Sequence, residues 1–256
     1  MLRHKTTIFS LITFFAKSLV LLFLACLAQS NVCWAAKTLN VAAAGVLIYP
    51  LQEIAQLFQD QTGLRVRLHF NSSESLAKAI EKERKYDLFF SANHKRPRDL
   101  ARKGICYPPV TYGYGVLILW SKNPKIRVLG WPGALWVAER LALPNPKMGP
   151  YGAVAKLILV KEKLWEKVQD KVVIVPTVCE AFLKAKNGQI EAAFASLSLV
   201  LGDPKLKGGY IVVPHAPLIE QKACVVKGPN EKQARKFLNF VLSPQGQKSL
   251  RKYGYF

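Results

Sequence analysis

Four short stretches hold the residues best suited to chemistry: Ala43-Ala44-Gly45, Asn71-Ser72-Ser73-Glu74-Ser75, Gly149-Pro150-Tyr151-Gly152 and Pro176-Thr177-Val178. Each joins the end of a predicted strand to the start of a predicted helix, and each is rich in glycine, small or hydroxylated residues. The first N–H groups of a helix have no acceptor within it, and that end carries about half a positive charge. Several such ends brought together bind an anion without any Lys or Arg in contact. Taken singly, each stretch also has a plain structural reading: Ser72 or Ser73 as an N-cap, Pro150 as a first helical residue, Gly45 as a turn former. Their conjunction in one chain is what points to anion capture.

Other chemistry finds little footing. His69, His94 and His215 sit apart, and no GxSxG, HExxH, Walker or GxGxxG pattern occurs. Binding without catalysis, and without a cofactor, is therefore expected. Cys106, Cys179 and Cys224 form no CxxC and no Cys/His cluster at ligand spacing, so no cation site is expected. They read as small buried hydrophobes, with at most one disulfide among the three.

The elements that must position the four loops follow from hydrophobic period. Leu39 to Ala43 reads as a buried strand, and Leu47, Leu51, Ile54, Ala55 and Phe58 recur at helical spacing up to a Thr62-Gly63 stop. Leu64, Val66, Leu68 and Phe70 alternate with Arg65, Arg67 and His69, the pattern of a half-buried strand. Helix over 75–80, strand over 87–92, a short helix opened by Pro97, and strand over 115–120 continue the cycle. Strand over 140–143, helix over 151–165, strand over 172–175, helix over 177–186 and strand over 192–195 complete it. Repeated βα units predict an α/β protein with parallel sheets covered on both faces. The Pro/Gly-rich stretches 108–115 and 213–217 read as crossings between two bodies.

Composition bounds the setting. The chain has 256 residues, half of them hydrophobic, with 37 Lys+Arg against 16 Asp+Glu. Such a chain buries a real core, which excludes disorder. Arg3, His4 and Lys5 precede an apolar run to Leu27, with Ala35 and Ala36 after Trp34, so residues 1–35 read as a secretory signal. A lipoprotein cut before Cys26 is the alternative, and Phe23 fits that motif poorly. Removing the signal leaves 34 basic and 16 acidic residues, a charge that speaks of anionic surroundings without naming the anion.

At this point the chain resembles the periplasmic molybdate-binding proteins of ABC transporters. The resemblance runs from about Thr38 to the end, through Asn40-Val41-Ala42-Ala43-Ala44, Ser72-Ser73, Tyr86-Asp87-Leu88-Phe89-Phe90-Ser91-Ala92 and the segment 111–121. It continues through Asn145-Pro146-Lys147-Met148-Gly149-Pro150-Tyr151-Gly152 and Ser243-Pro244-Gln245-Gly246. It implies a two-lobed type II periplasmic-binding-protein fold, with two mixed, mostly parallel sheets flanked by helices and a cleft between lobes. The implied division is signal 1–35, first lobe 36–112 and 216–256, second lobe 113–215. By position it implies oxyanion contacts from Ala44, Gly45, Ser72, Ser73, Tyr151 and Val178, with molybdenum held as an oxyanion and no metal ligated directly. It further implies a periplasmic monomer that hands molybdate or tungstate to an inner-membrane ABC permease subunit, and no nucleic-acid partner.

Three departures from that family stand out. Ala44-Gly45 takes the place of a Ser, Thr or Asn donor, so that Gly45→Ser or Gly45→Asn is expected to add a hydrogen bond unless residue 45 needs a positive φ. Glu74 and Glu180 put carboxylates near helix starts, where they favour the helix dipole but compete with an anion. Within the same class, sulfate or phosphate is the alternative ligand; outside it stands a surface or adhesion protein whose basic face meets lipid headgroups or polyanions.

Overall fold

The computed structural model describes residues 38–83 and 85–256. The chain order is β1 (Leu39–Ala44), a 3-10 turn (Gly45–Leu47), α1 (Ile48–Thr62), β2 (Val66–Asn71), α2 (Ser73–Glu83), β3 (Leu88–Ser91), α3 (Lys95–Arg102), β4 (Val110–Gly115) and β5 (Leu117–Ser121). Then follow α4 (Ile126–Val137), β6 (Leu141–Pro144), α5 (Pro150–Lys161), α6 (Trp165–Val168), a second 3-10 turn (Gln169–Lys171), β7 (Val172–Val175), α7 (Val178–Lys186) and β8 (Ala192–Ser196). α8 (Leu197–Leu201), β9 (Gly209–Val212), β10 (Ile219–Val225), α9 (Glu231–Leu242) and α10 (Pro244–Lys252) complete the chain.

Two five-stranded sheets result, in the orders β2-β1-β3-β10-β4 and β7-β6-β8-β5-β9. The fold is the expected two-lobed α/β arrangement. Each sheet carries two parallel and two antiparallel pairings, so antiparallel contacts are more numerous than repeated βα units predict. The reason is local: every antiparallel pairing involves β10 or β5, the strands on which the chain returns to one sheet or enters the other.

Where the sequence pattern is strong, the elements match it. β1 is buried along nearly its whole length, and α1 ends at Gly63, whose φ of 67° supplies a left-handed C-cap. β2 lies at a sheet edge and is partly exposed, as its alternation requires. The stretch 108–115 departs from the reading of it as a bend. Val110–Gly115 is a full strand of the first sheet, paired with β10 from Ile219↔Gly115 to Ala223↔Val110. Tyr112 is buried there, and its hydroxyl lies 3.0 Å from the Ser91 carbonyl and 2.7 Å from Gln221 Oε1. The chain therefore crosses after Gly115 and returns through 213–218, where no strand or helix forms. Among the described residues no helix is long and apolar enough to cross a membrane. The proposed signal, with Cys26 and Cys33, lies outside the described residues.

Candidate functional site

All four singled-out loops open onto one cavity of about 260 Å³, at the C-terminal ends of β1, β2, β6 and β7. Ligand sites in open α/β sheets favour that end of the strands. Ala44, Gly45, Ser72, Ser73, Tyr151 and Val178 all line it, so the structure brings together the six residues expected to contact the oxyanion, while Glu180 does not line the cavity.

Each helix start is prepared differently. Ser72 Oγ accepts from the Ser75 N–H at 3.1 Å and therefore caps α2. Ser73 is thus not the cap: its Oγ accepts from the Ala92 N–H at 3.0 Å, which leaves the hydroxyl proton free to donate. Pro150 stands first in α5, and Tyr151 and Gly152 follow it in the first turn. In α7 the Thr177 side chain caps the Glu180 N–H, leaving the N–H groups of Val178 and Cys179 without an intrahelical acceptor.

Behind the cleft a buried polar chain ties these loops together. The Tyr112 hydroxyl meets Gln221 Oε1, and Gln221 Nε2 donates to the Tyr151 hydroxyl at 3.0 Å. That hydroxyl lies 2.8 Å from Ser196 Oγ, which lies 2.9 Å from Ser198 Oγ, which in turn donates to the Val46 carbonyl at 2.8 Å. Tyr255 also donates to that carbonyl, at 3.2 Å. Through Ser91, the neighbour of Ala92, the chain reaches the Ser73 loop as well. Desolvation of the buried ring pushes the Tyr151 hydroxyl far above the usual phenol range, so it stays neutral. A fully satisfied buried network of this kind fixes the positions of the groups it joins.

The electrostatics of the cleft are simple. Among the described residues lining it, Glu74 alone has a charged side chain. Its carboxylate is held by Arg96 through one oxygen and by Lys78 at 3.5 Å through the other. Glu74 is thus neutralised by partners rather than turned free into the cavity. Among the described residues no Lys or Arg lines the cleft, despite the surplus of basic residues in the chain. The wall offers neutral donors: hydroxyls, helix-start N–H groups and the amides of Asn71, Asn93 and Asn145.

Sequence reasoning missed one cleft residue of consequence. Cys179 lines the cavity, and its Sγ would lie only 2.7 Å from a Cβ added at Gly45. Burial pushes its thiol up from 9.0 to about 11. Gly45 is not at positive φ. A side chain at this position meets the sulfur of Cys179, which must shift to admit it, so Gly45→Ser or Gly45→Asn does not simply add a donor. Nothing near Cys179 in sequence marks it for this role, because its neighbour Gly45 belongs to the other lobe.

Residues 39–256 match the family of bacterial extracellular solute-binding proteins. The chain belongs to that family. Among curated relatives, the molybdate-binding protein ModA of Rhodobacter capsulatus is 30% identical over 227 residues, covering 86% of this chain and 89% of that protein. ModA of Azotobacter vinelandii is 29% identical over 241 residues, covering 91% and 92% of the two chains. The solved periplasmic molybdate-binding protein of Azotobacter vinelandii superposes with a TM-score of 0.79 at 28% identity, covering 85% of this chain and 98% of that one. Family membership makes this chain an extracytoplasmic solute-binding component of transport, not an enzyme.

Proposed function

We propose that the cleft captures molybdate or tungstate as a dehydrated tetrahedral dianion and that the protein presents it to the permease of an ABC transporter. The observation that carries the reading is the lining of the cleft: helix starts from both lobes, a free Ser73 proton, and no unpaired charge. Neutral donors of this kind suit a fully ionised anion, because a protonated one needs an acceptor facing it. Glu74 is the one charged acceptor among the described lining residues, and Arg96 and Lys78 already engage it. The names of the two ModA relatives point the same way.

In this reading Ser73 donates its hydroxyl proton, and Gly45, Tyr151 and Val178 donate backbone N–H groups. Ser72 acts by capping the helix that carries Ser73. Closing the lobes replaces the water shell of the anion with these fixed donors. The protein works as a monomer, released from its signal near Ala35/Ala36.

A thermal-unfolding panel of the mature protein tests the ligand class. Molybdate and tungstate at about 100 times their dissociation constants are expected to add roughly 2.7 kcal/mol of stability, with sulfate and phosphate well behind at equal concentration. Equal or stronger stabilisation by sulfate or phosphate overturns the molybdate reading while leaving an anion site in place. No response to any of the four overturns the anion site itself.

A further inference from the structure

Away from the cleft, two cysteines meet under the first sheet. Cys106 forms an antiparallel bridge with Val226, and the register is held on both sides by Tyr107 N–H to Val225 O at 2.9 Å and Lys227 N–H to Ile105 O at 3.0 Å. Cys224 lies two residues before Val226 on the same strand run, and so projects from the same face as Val226. Side chains at such diagonal positions reach one another. Here burial, together with the neighbouring Cys106 thiol, pushes the Cys224 thiol well above its usual range. Both are buried in one apolar cluster with Leu76, Ile80, Phe89 and Leu100. Cys179 packs against the other, larger cluster and lines the cleft, so it is no partner for either.

We propose that Cys106 and Cys224 form a disulfide in the exported protein, one that staples the two chain segments of the first lobe together. The first sheet is built from a segment ending at β4 and a segment beginning at β10, and all five strands of the second sheet lie between them. Without a cross-link, β10, α9 and α10 are tied covalently to the rest of the first lobe only through the second lobe. A Cys106–Cys224 bond closes that long loop at its base, where a cross-link restricts the unfolded chain most. The first lobe then stays assembled while the second moves or opens. Bond formation brings the two neighbouring sulfurs to roughly 2.05 Å.

The chemistry is thiol–disulfide exchange with a disulfide-bearing oxidant of the extracytoplasmic compartment, and to that extent the proposal rests on export. One cysteine thiolate attacks the oxidant's disulfide, forming a mixed disulfide and releasing one oxidant thiol. The second cysteine thiolate then attacks the mixed disulfide at the cysteine sulfur and displaces the other oxidant thiol. Two electrons and two protons leave the cysteine pair, and the oxidant gains both as two S–H groups. Burial raises the Cys224 thiol well above its usual range, which disfavours the thiolate in the folded protein. Exchange therefore belongs to folding, before the segment carrying β10 docks. Afterwards the same burial shields the bond from reductants.

The test maps the cysteines of the exported chain. Protein purified without reductant is denatured, alkylated with N-ethylmaleimide, digested and examined by mass spectrometry. The expected result is one cross-linked peptide pair containing Cys106 and Cys224, with Cys179 alkylated. Alkylation at both Cys106 and Cys224, or a bond from either to Cys179, overturns the proposal. Refolding the chain with oxidised glutathione separates geometry from compartment: failure of Cys106 and Cys224 to pair there overturns the proposal wherever the protein resides. Full reduction by unfolding and refolding with reductant is expected to lower Tm by roughly 10 °C, and the C106A/C224A variant is expected to ignore reductant. An unchanged Tm on reducing the wild-type chain overturns the stapling role, whether or not the variant folds.

Discussion

The two walls of the cleft hold their helix starts by different means. On the first-lobe wall, side chains do the holding: Ser72 caps α2, Ser73 is fixed by the Ala92 N–H, and Glu74 is tethered to Arg96. On the second-lobe wall, packing does it: the whole Tyr151 ring is buried, and Gly152 lies so close to β6 that an added Cβ would overlap the Pro144 carbonyl. A hydroxyl can be removed with the backbone left in place, whereas a backbone contact leaves nothing to give way. The first wall should therefore tolerate substitution with graded loss of affinity, and the second should fail as a unit.

The largest effect is expected at Gly152. In Gly152→Ala the new methyl meets a strand carbonyl that pairing with β7 holds in place. Overpacking against backbone is expected to cost about 3 kcal/mol or more, and affinity should fall more than about a hundredfold because the Tyr151 and Gly152 N–H groups move together. Thermal unfolding and calorimetric titration check both. A folded Gly152→Ala protein with wild-type affinity would remove the contrast between the walls.

Cys179 provides the next measure, in reactivity. Its thiol is pushed from 9.0 to about 11 by burial. Below the ordinary value of 9.0 the thiolate fraction is about a hundredfold smaller than for an ordinary thiol at the same pH, and it rises about tenfold per pH unit. Alkylation of Cys179 by iodoacetamide should be slow at neutral pH, accelerate with pH towards about 11, and slow further when the cleft is occupied. Fast, ligand-insensitive labelling at neutral pH would mean that the sulfur does not face a closed cleft.

How much of this was legible beforehand depends on range. The strand-to-helix loops were visible because each is a local pattern: Pro150 in a first turn, Thr177 three residues before Glu180, a run of small residues after β1. Strand β4 was hidden, since Gly113 and Gly115 dilute its apolar period and its partner Gln221 is far away in sequence. The division of labour between Ser72 and Ser73 was hidden too. Two adjacent serines at a helix start look alike until the position of the Ala92 N–H is known. The polar chain from Tyr112 to Val46 joins six separate elements, and no window of sequence contains it.

That division of labour predicts a smaller, cleaner contrast. Ser73→Ala removes a donor to a charged ligand, and hydrogen bonds of that kind contribute about 1.5 to 3 kcal/mol, so affinity should fall roughly 10- to 100-fold. It also deprives the Ala92 N–H of its acceptor, at about 1 kcal/mol of stability. Ser72→Ala should cost a similar amount of stability, as a lost cap, while affinity stays close to wild type. Equal losses of affinity in the two variants would show that Ser73 acts only by supporting the loop.

The smallest effect, and the most discriminating, concerns Gly45. A side chain added there meets Cys179 Sγ at 2.7 Å, yet a sulfur at the end of a side chain can move by a rotamer change, unlike the Pro144 carbonyl. Gly45→Ser is therefore expected to weaken molybdate binding only severalfold, with stability reduced by about 1 kcal/mol. Cys179→Ala alone opens a small void and should change affinity little. Combined, the two changes remove the collision and leave a hydroxyl at the cleft wall, so Gly45→Ser with Cys179→Ala should bind more tightly than either single variant and at least as tightly as the wild type. The coupling between the sites, read from a double-mutant cycle by titration with molybdate, should be favourable and well outside the few tenths of a kcal/mol expected for independent positions. Additive effects would place Gly45 and Cys179 out of contact when the ligand is bound. In that case the missing side chain at 45 serves the ligand itself rather than making room for the sulfur across the cleft.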